Sequence, residues 1–160
     1  MNREQQVIWA AGFFDGEAYM GLSRGTTTST QRPFHQALVD VAQVKRAPLD
    51  VLVSLFGGRI RVGKNRCGAI YYWRVSGTRA YRVLCEVQPY LVGKQRQARL
   101  LIEFGQTLTG RNGLGLSSDV VARREAMYTE LRVLNSRRVP SHAERLSEKA
   151  PQAEPLRMVR

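Results

Sequence analysis

The chain has 160 residues, 43% of them hydrophobic, which suffices for one domain with a real core and is too short for two comfortable ones. Twenty-five Lys and Arg against thirteen Asp and Glu give a net charge of +12, which points to a polyanionic partner, although charge alone would also suit a membrane-surface, ribosomal or architectural protein. The longest apolar run, Val7 to Phe14, falls far short of the roughly twenty residues that span a bilayer, no cleavable signal pattern opens the chain, and Cys67 and Cys85 lack a CxxC spacing. The expectation is an intracellular protein with reduced cysteines, no zinc site and no membrane partner.

Residues 3–17 have helical character. On a wheel of about 100° per residue, Gln5, Ile8, Gly12 and Gly16 share one face with Trp9 at its edge, while Val7, Ala10 and Phe14 fall opposite and face the core. Two mid-helix glycines each cost about 1 kcal/mol against alanine, a cost that close helix packing would offset.

Two strands are predicted next, Tyr19 to Arg24 and Phe34 to Gln43, joined by a polar stretch into a long hairpin. Ala37, Val39 and Val41 alternate with Gln36, Leu38 and Asp40, so one face packs on the core and the other is free to meet a ligand. Pro48 and Gly57-Gly58 delimit a helix carrying Leu49, Leu52, Val53 and Phe56. A second hairpin pairs residues 59–63 with 70–75. Ile60 and Val62 oppose Arg59 and Arg61, and Tyr71, Trp73 and Val75 oppose Tyr72 and Arg74.

Helices are predicted over residues 78–87, 94–107 and 118–135, the last with Val120, Met127, Leu131 and Leu134 as an apolar stripe. Residues 136–160 are rich in charge, Pro and Ser and read as a flexible basic tail, which leaves 1–135 as the domain. The element order describes an α+β fold with a four-stranded antiparallel sheet covered on one face and additional C-terminal helices.

Residues 10–18 read Ala-Ala-Gly-Phe-Phe-Asp-Gly-Glu-Ala and occur once. The segment resembles the signature of the LAGLIDADG homing endonucleases, whose variants often read Leu-Ala-Gly-Phe-Phe-Asp-Gly-Glu-Gly. Ala11 to Glu17 match, whereas Ala10 and Ala18 depart; an alanine at position 18 can still leave a helix without a positive φ. A downstream stretch, Val87-Gln-Pro-Tyr-Leu-Val-Gly-Lys94, looks like the family's Pro-aromatic-Leu turn followed by a lysine, and the element order extends the resemblance over most of residues 5–135.

The resemblance implies an αββαββα core and a homodimer of the single-motif type, packed through Ile8, Trp9, Gly12 and Gly16. It further implies that Glu17 and the Gly16 carbonyl hold Mg²⁺, with Mn²⁺ or Ca²⁺ able to occupy the same sites, and that Gln43 and Lys94 assist Glu17 in hydrolysing a phosphodiester. Symmetry then implies a staggered double-strand break in a long pseudo-palindromic DNA target, as in intron homing. Asp15 lies about 160° from Glu17 on the wheel, so the two cannot chelate together while both are helical, and a structural role is expected for Asp15.

A two-stranded ribbon is narrow enough for the major groove. The candidates to contact double-stranded DNA are Ser23, Thr27, Ser29, Gln36, Leu38 and Asp40 on the first hairpin, Lys45 and Arg46 after it, and Arg59, Arg61, Tyr72 and Arg74 on the second. The rival readings are a group I intron RNA maturase or a cleavage-inactive DNA-binding protein of the same fold. A ribosomal or architectural protein explains the charge but not the motif. His35 and His142 are too far apart for a local metal motif, and no nucleophile-elbow, P-loop or HExxH pattern is present, so no small-molecule substrate is expected.

Overall fold

The structure is a computed structural model that describes residues 1–26, 33–66, 68–108 and 117–136. Thr27, Ser29 and residues 137–160 of the expected tail lie outside the described residues.

Helix α1, Arg3–Glu17, opens on a reciprocal cap: the Asn2 side chain accepts the Gln5 N–H at 2.9 Å and the Gln5 side chain accepts the Asn2 N–H at 3.0 Å. Val7, Ala10, Ala11 and Phe14 are buried while Ile8, Gly12 and Gly16 are exposed, as the wheel requires. Ala18 follows with φ −82° and ψ 141°, so the chain passes from helix to strand without a left-handed residue.

The next elements are β1 (Ala18–Thr26), β2 (Pro33–Gln43), α2 (Ala47–Phe56), β3 (Arg59–Asn65) and β4 (Gly68–Ser76). Helices α3 (Gly77–Val87), α4 (Gln95–Gln106) and α5 (Ser118–Leu134) complete the described chain, with a short 3-10 turn over Gln88–Tyr90. The second hairpin runs further than its hydrophobic alternation suggested, because Lys64↔Ala69 and Asn65↔Gly68 continue the ladder into the expected loop. Backbone pairing needs no apolar side chain, so hydropathy is blind to this extension.

The sheet is antiparallel in the order β1-β2-β4-β3, which brings the two hairpins together through β2 and β4. One row of its helix-facing side runs Val41–Trp73–Ile60 through the register. Trp73 is fully buried and donates its indole N–H to the Gly57 carbonyl at 2.9 Å. The Phe14 ring stacks on it at 5.8 Å between centroids, which seats the end of α1 on the centre of the sheet. Truncating such a buried Phe to Ala costs about 3–5 kcal/mol. Gly57 and Gly58 have φ of 71° and 96°, a left-handed turn that only glycine adopts without strain, and it hands the chain from α2 to β3 beneath that tryptophan.

Two sites depart from simple alternation. Val62 is helix-facing by its pairing with Tyr71 yet 65% exposed, because β3 is an edge strand and runs past the helix that covers its start. In α5, Met127 and Leu131 are buried but Val120 and Leu134 only half so. Polar contacts add to those two buried side chains: Arg124 donates to the Thr107 hydroxyl at 3.0 Å and carbonyl at 2.8 Å, and Asn135 donates to the Met20 carbonyl at 2.8 Å. Among the described residues no helix is long and apolar enough to cross a membrane.

Candidate functional site

The last turn of α1 has one closing bond, from the Ala18 N–H to the Phe14 carbonyl, and no basic residue of its own to offset the negative end of its dipole or to satisfy the carbonyls beyond. Lys94, at the N-terminal boundary of α4, supplies both. Its Nζ donates to the carbonyls of Phe14 at 2.9 Å and Asp15 at 2.6 Å. In return the Asp15 carboxylate accepts the main-chain N–H groups of Val92 at 2.7 Å and Lys94 at 2.8 Å. Asp15 is therefore a structural clamp, as its position on the wheel suggested.

Burial alone would raise the Asp15 pKa, but the N–H groups of Val92, Lys94 and Gly93 and the Lys94 charge together hold it below 3.8. Burial pushes the Lys94 ammonium below 10.5, opposed by the negative charges of Asp15 and Glu17. Lys94 thus stands within the field of the motif's second acid.

Glu17 is exposed, and no salt bridge among the described residues involves it. Gln43 is half-buried at the end of β2 and pairs with Tyr71. Because Ala18 pairs with Val41, Gln43 lies two residues past the strand start that follows Glu17, so Glu17 and Gln43 emerge at the same end of the sheet. Lys94 is bonded to the end of α1 just before Glu17, and Gln43 ends the strand at the same end of the sheet. No three His, Cys, Asp or Glu side chains among the described residues cluster as a metal site. Among the described residues, Glu17 is the carboxylate left available there.

The helix-free face of the sheet, against which no described helix packs, carries the other candidates that lie on described strands. Register aligns Tyr19, Asp40, Arg74 and Arg59 in one row across all four strands, with Ala42, Tyr72 and Arg61 in the next. Ser23 and Gln36 pair across β1 and β2, and the Ser23 hydroxyl donates to the Gln36 carbonyl at 3.3 Å. Leu38 shares this face but is only 9% exposed. Lys45 is exposed beyond β2, and Arg46 is engaged with Asp50 at 3.1 Å.

Tyr19 and Phe34, absent from the sequence-based candidates, are exposed on the same face. Each lies over a glycine: a Cβ on Gly21 would stand 2.5 Å from the Tyr19 hydroxyl, and one on Gly25 2.7 Å from the Phe34 ring. The signal that could have found them is parity, since Tyr19 alternates in phase with Ser23 and Phe34 with Gln36.

Along the exposed side of α1, a Cβ on Gly12 or Gly16 would meet nothing within 4 Å. The half-buried rings of Trp9 and Phe13 stack at 5.1 Å between centroids, and Val92 is 88% exposed on the loop that Asp15 holds. The packing of the described residues therefore gives no reason for glycine at either position.

No protein-family profile matches the sequence. No curated protein matches it either. Solved structures do. The homing endonuclease I-CvuI, crystallised with the I-CreI target in the presence of Mg, aligns with a TM-score of 0.71 and 20% identity over 91% of this chain and 92% of that one. An archaeal intron-encoded homing endonuclease, I-Vdi141I, complexed with DNA, gives 0.69 and 18% over 84% and 86%. The I-LtrWI LAGLIDADG homing endonuclease bound to target DNA gives 0.60 and 17% over 76% of this chain and 42% of that one.

Proposed function

We propose that this chain, whose fold is that of the LAGLIDADG homing endonucleases, is one subunit of a homodimeric, site-specific DNA endonuclease. The observation that carries the reading is the exposed Glu17 carboxylate, set at the rim of a basic sheet face by a helix end that Asp15 and Lys94 lock in place.

The described residues supply one such carboxylate, and in this reading a second copy completes the site. The bare side of α1 at Gly12 and Gly16 suits close approach of the same helix from that copy, which would bring two Glu17 side chains together across a twofold axis. An isologous pair of subunits reads a pseudo-palindromic target and cuts each strand once, leaving staggered ends.

Glu17 and the Gly16 carbonyl are the residues that would hold a divalent cation. Such a donor set suits Mg²⁺, which keeps waters and substrate phosphates among its ligands, and Mn²⁺ or Ca²⁺ fits the same oxygens. A cation bound there supplies acidified water and neutralises charge at the scissile phosphate. Gln43 orients solvent with its amide. Lys94, already fixed against the helix end, places positive charge where the phosphate becomes more negative. Arg59, Arg61, Lys45 and the polar residues of the first hairpin grip and read the duplex.

A maturase or an inactive DNA binder of this fold would share the basic sheet but has no need of an exposed Glu17. The test is cleavage selection from a randomised duplex library with Mg²⁺. A recovered pseudo-palindrome, cut by the wild type and not by Glu17→Gln although both still bind it, supports the reading. Full cutting by Glu17→Gln homodimers would remove Glu17 from the chemistry.

A further inference from the structure

An acid on a surface that meets DNA repels phosphate, so Asp40 needs a reason to stand in the middle of this face. It is flanked in its row by Tyr19 on β1 and Arg74 on β4. Arg74 donates through Nε at 3.0 Å and through Nη2 to the same Asp40 oxygen, Oδ2. The other oxygen, Oδ1, is buried and has no hydrogen-bond partner among the described residues. Asp40 is thus withdrawn from solvent while Arg74 stays open: their side chains are 20% and 55% exposed.

We infer that Arg74 reads a guanine and that Asp40 is the positioning residue that makes it do so; the inference rests on the helix-free face being the DNA-binding face. Tying down Nε and one N–H of Nη2 leaves the end of the guanidinium, Nη1 and the second N–H of Nη2, as a two-donor fork. That fork matches the O6 and N7 acceptors of guanine in the major groove. The ion pair also offsets much of the charge that would otherwise draw a free arginine to the nearest phosphate, and it replaces a flexible side chain by a held one. Asp40 itself does not touch a base, because one of its oxygens is occupied and the other enclosed. Arg59, at the far end of the row, forms no salt bridge among the described residues and remains a phosphate-type cation.

The full-length protein, its selected target and every single-base-pair variant of that target provide the test, with binding measured in Ca²⁺. Arg74→Ala should lower discrimination about 5- to 150-fold at one symmetric pair of G·C positions and leave the others unchanged. Asp40→Ala should lose discrimination at that same pair while binding unrelated DNA more tightly, and adding it to Arg74→Ala should cause no further loss. Arg74→Lys, which keeps charge without the fork, should retain the salt dependence and lose the guanine preference. Loss at different positions in the Asp40 and Arg74 variants, or uniform weakening of all sequences by Arg74→Ala, overturns the inference while leaving the nuclease reading intact. A wild type that prefers no sequence overturns both.

Discussion

Asp15 and Lys94 bind each other twice across the junction between the motif helix and α4: the Lys94 N–H reaches the Asp15 carboxylate at 2.8 Å, and the Lys94 ammonium reaches the Asp15 main-chain carbonyl at 2.6 Å. The pair fastens the end of α1, two residues before Glu17, to a lysine that comes from a distant part of the sequence.

Asp15→Asn should destabilise the chain by about 1–3 kcal/mol, because an uncharged amide cannot accept both N–H groups equally well. The wild-type carboxyl titrates below 3.8 in the folded state, so the unfolded chain binds more protons just below that pH. Its contribution is complete above 3.8 and fades as pH falls through the lower folded value. Urea unfolding at a series of acidic pH values should show this slope in the wild type and its loss in Asp15→Asn; parallel curves would remove the clamp.

His35 should make α5 acid-sensitive. Burial pushes the imidazole below 6.5, and Glu125, whose Oε2 stands 3.1 Å from Nε2 without hydrogen-bond alignment, pulls it partly back. A depressed histidine favours its neutral form in the fold, so stability is full above 6.5 and falls as pH drops through that value towards the folded pKa. Removing the compensating charge with Glu125→Gln should enlarge the loss between pH 7.5 and 5.5, and His35→Gln should abolish the part due to this residue. Thermal unfolding at the two pH values measures both.

Gly12→Leu should leave the subunit folded, since no other described residue stands within 4 Å of a Cβ at that position. It should nevertheless sediment as a monomer and lose double-strand cutting. Circular dichroism establishes the first point and sedimentation velocity the second. A folded variant that remains dimeric and cuts both strands at the original rate would move the interface elsewhere.

Arg61 pairs across the ladder with Tyr72 and forms no salt bridge among the described residues, so nothing there restrains its guanidinium. Arg61→Ala should weaken all DNA sequences alike and reduce the dependence of log affinity on log salt by about 1 per subunit. Relaxed preference at one base-pair position would instead make Arg61 a base reader, and an unchanged affinity would take it off the interface.

Much of this architecture was legible in the chain itself. The 3.6-residue period separated Phe14 from Gly12 and Gly16, alternation assigned Trp73 and Arg74 to opposite faces, and Gly57-Gly58 marked the end of α2, because each of these signals is written in residues a few positions apart. The motif likewise singled out Asp15 and Glu17 and the different duties expected of them. Strand order was not legible: only the fold sets β2 beside β4, and with it Asp40 beside Arg74, two residues that the sequence offered as independent DNA contacts. Lys94 was singled out only through the resemblance of its segment, since its bond to the end of α1 spans 79 residues and no local period records it. Local periodicity records which way a side chain points. Which partner it meets is decided by the packing of elements that carry no sequence memory of one another.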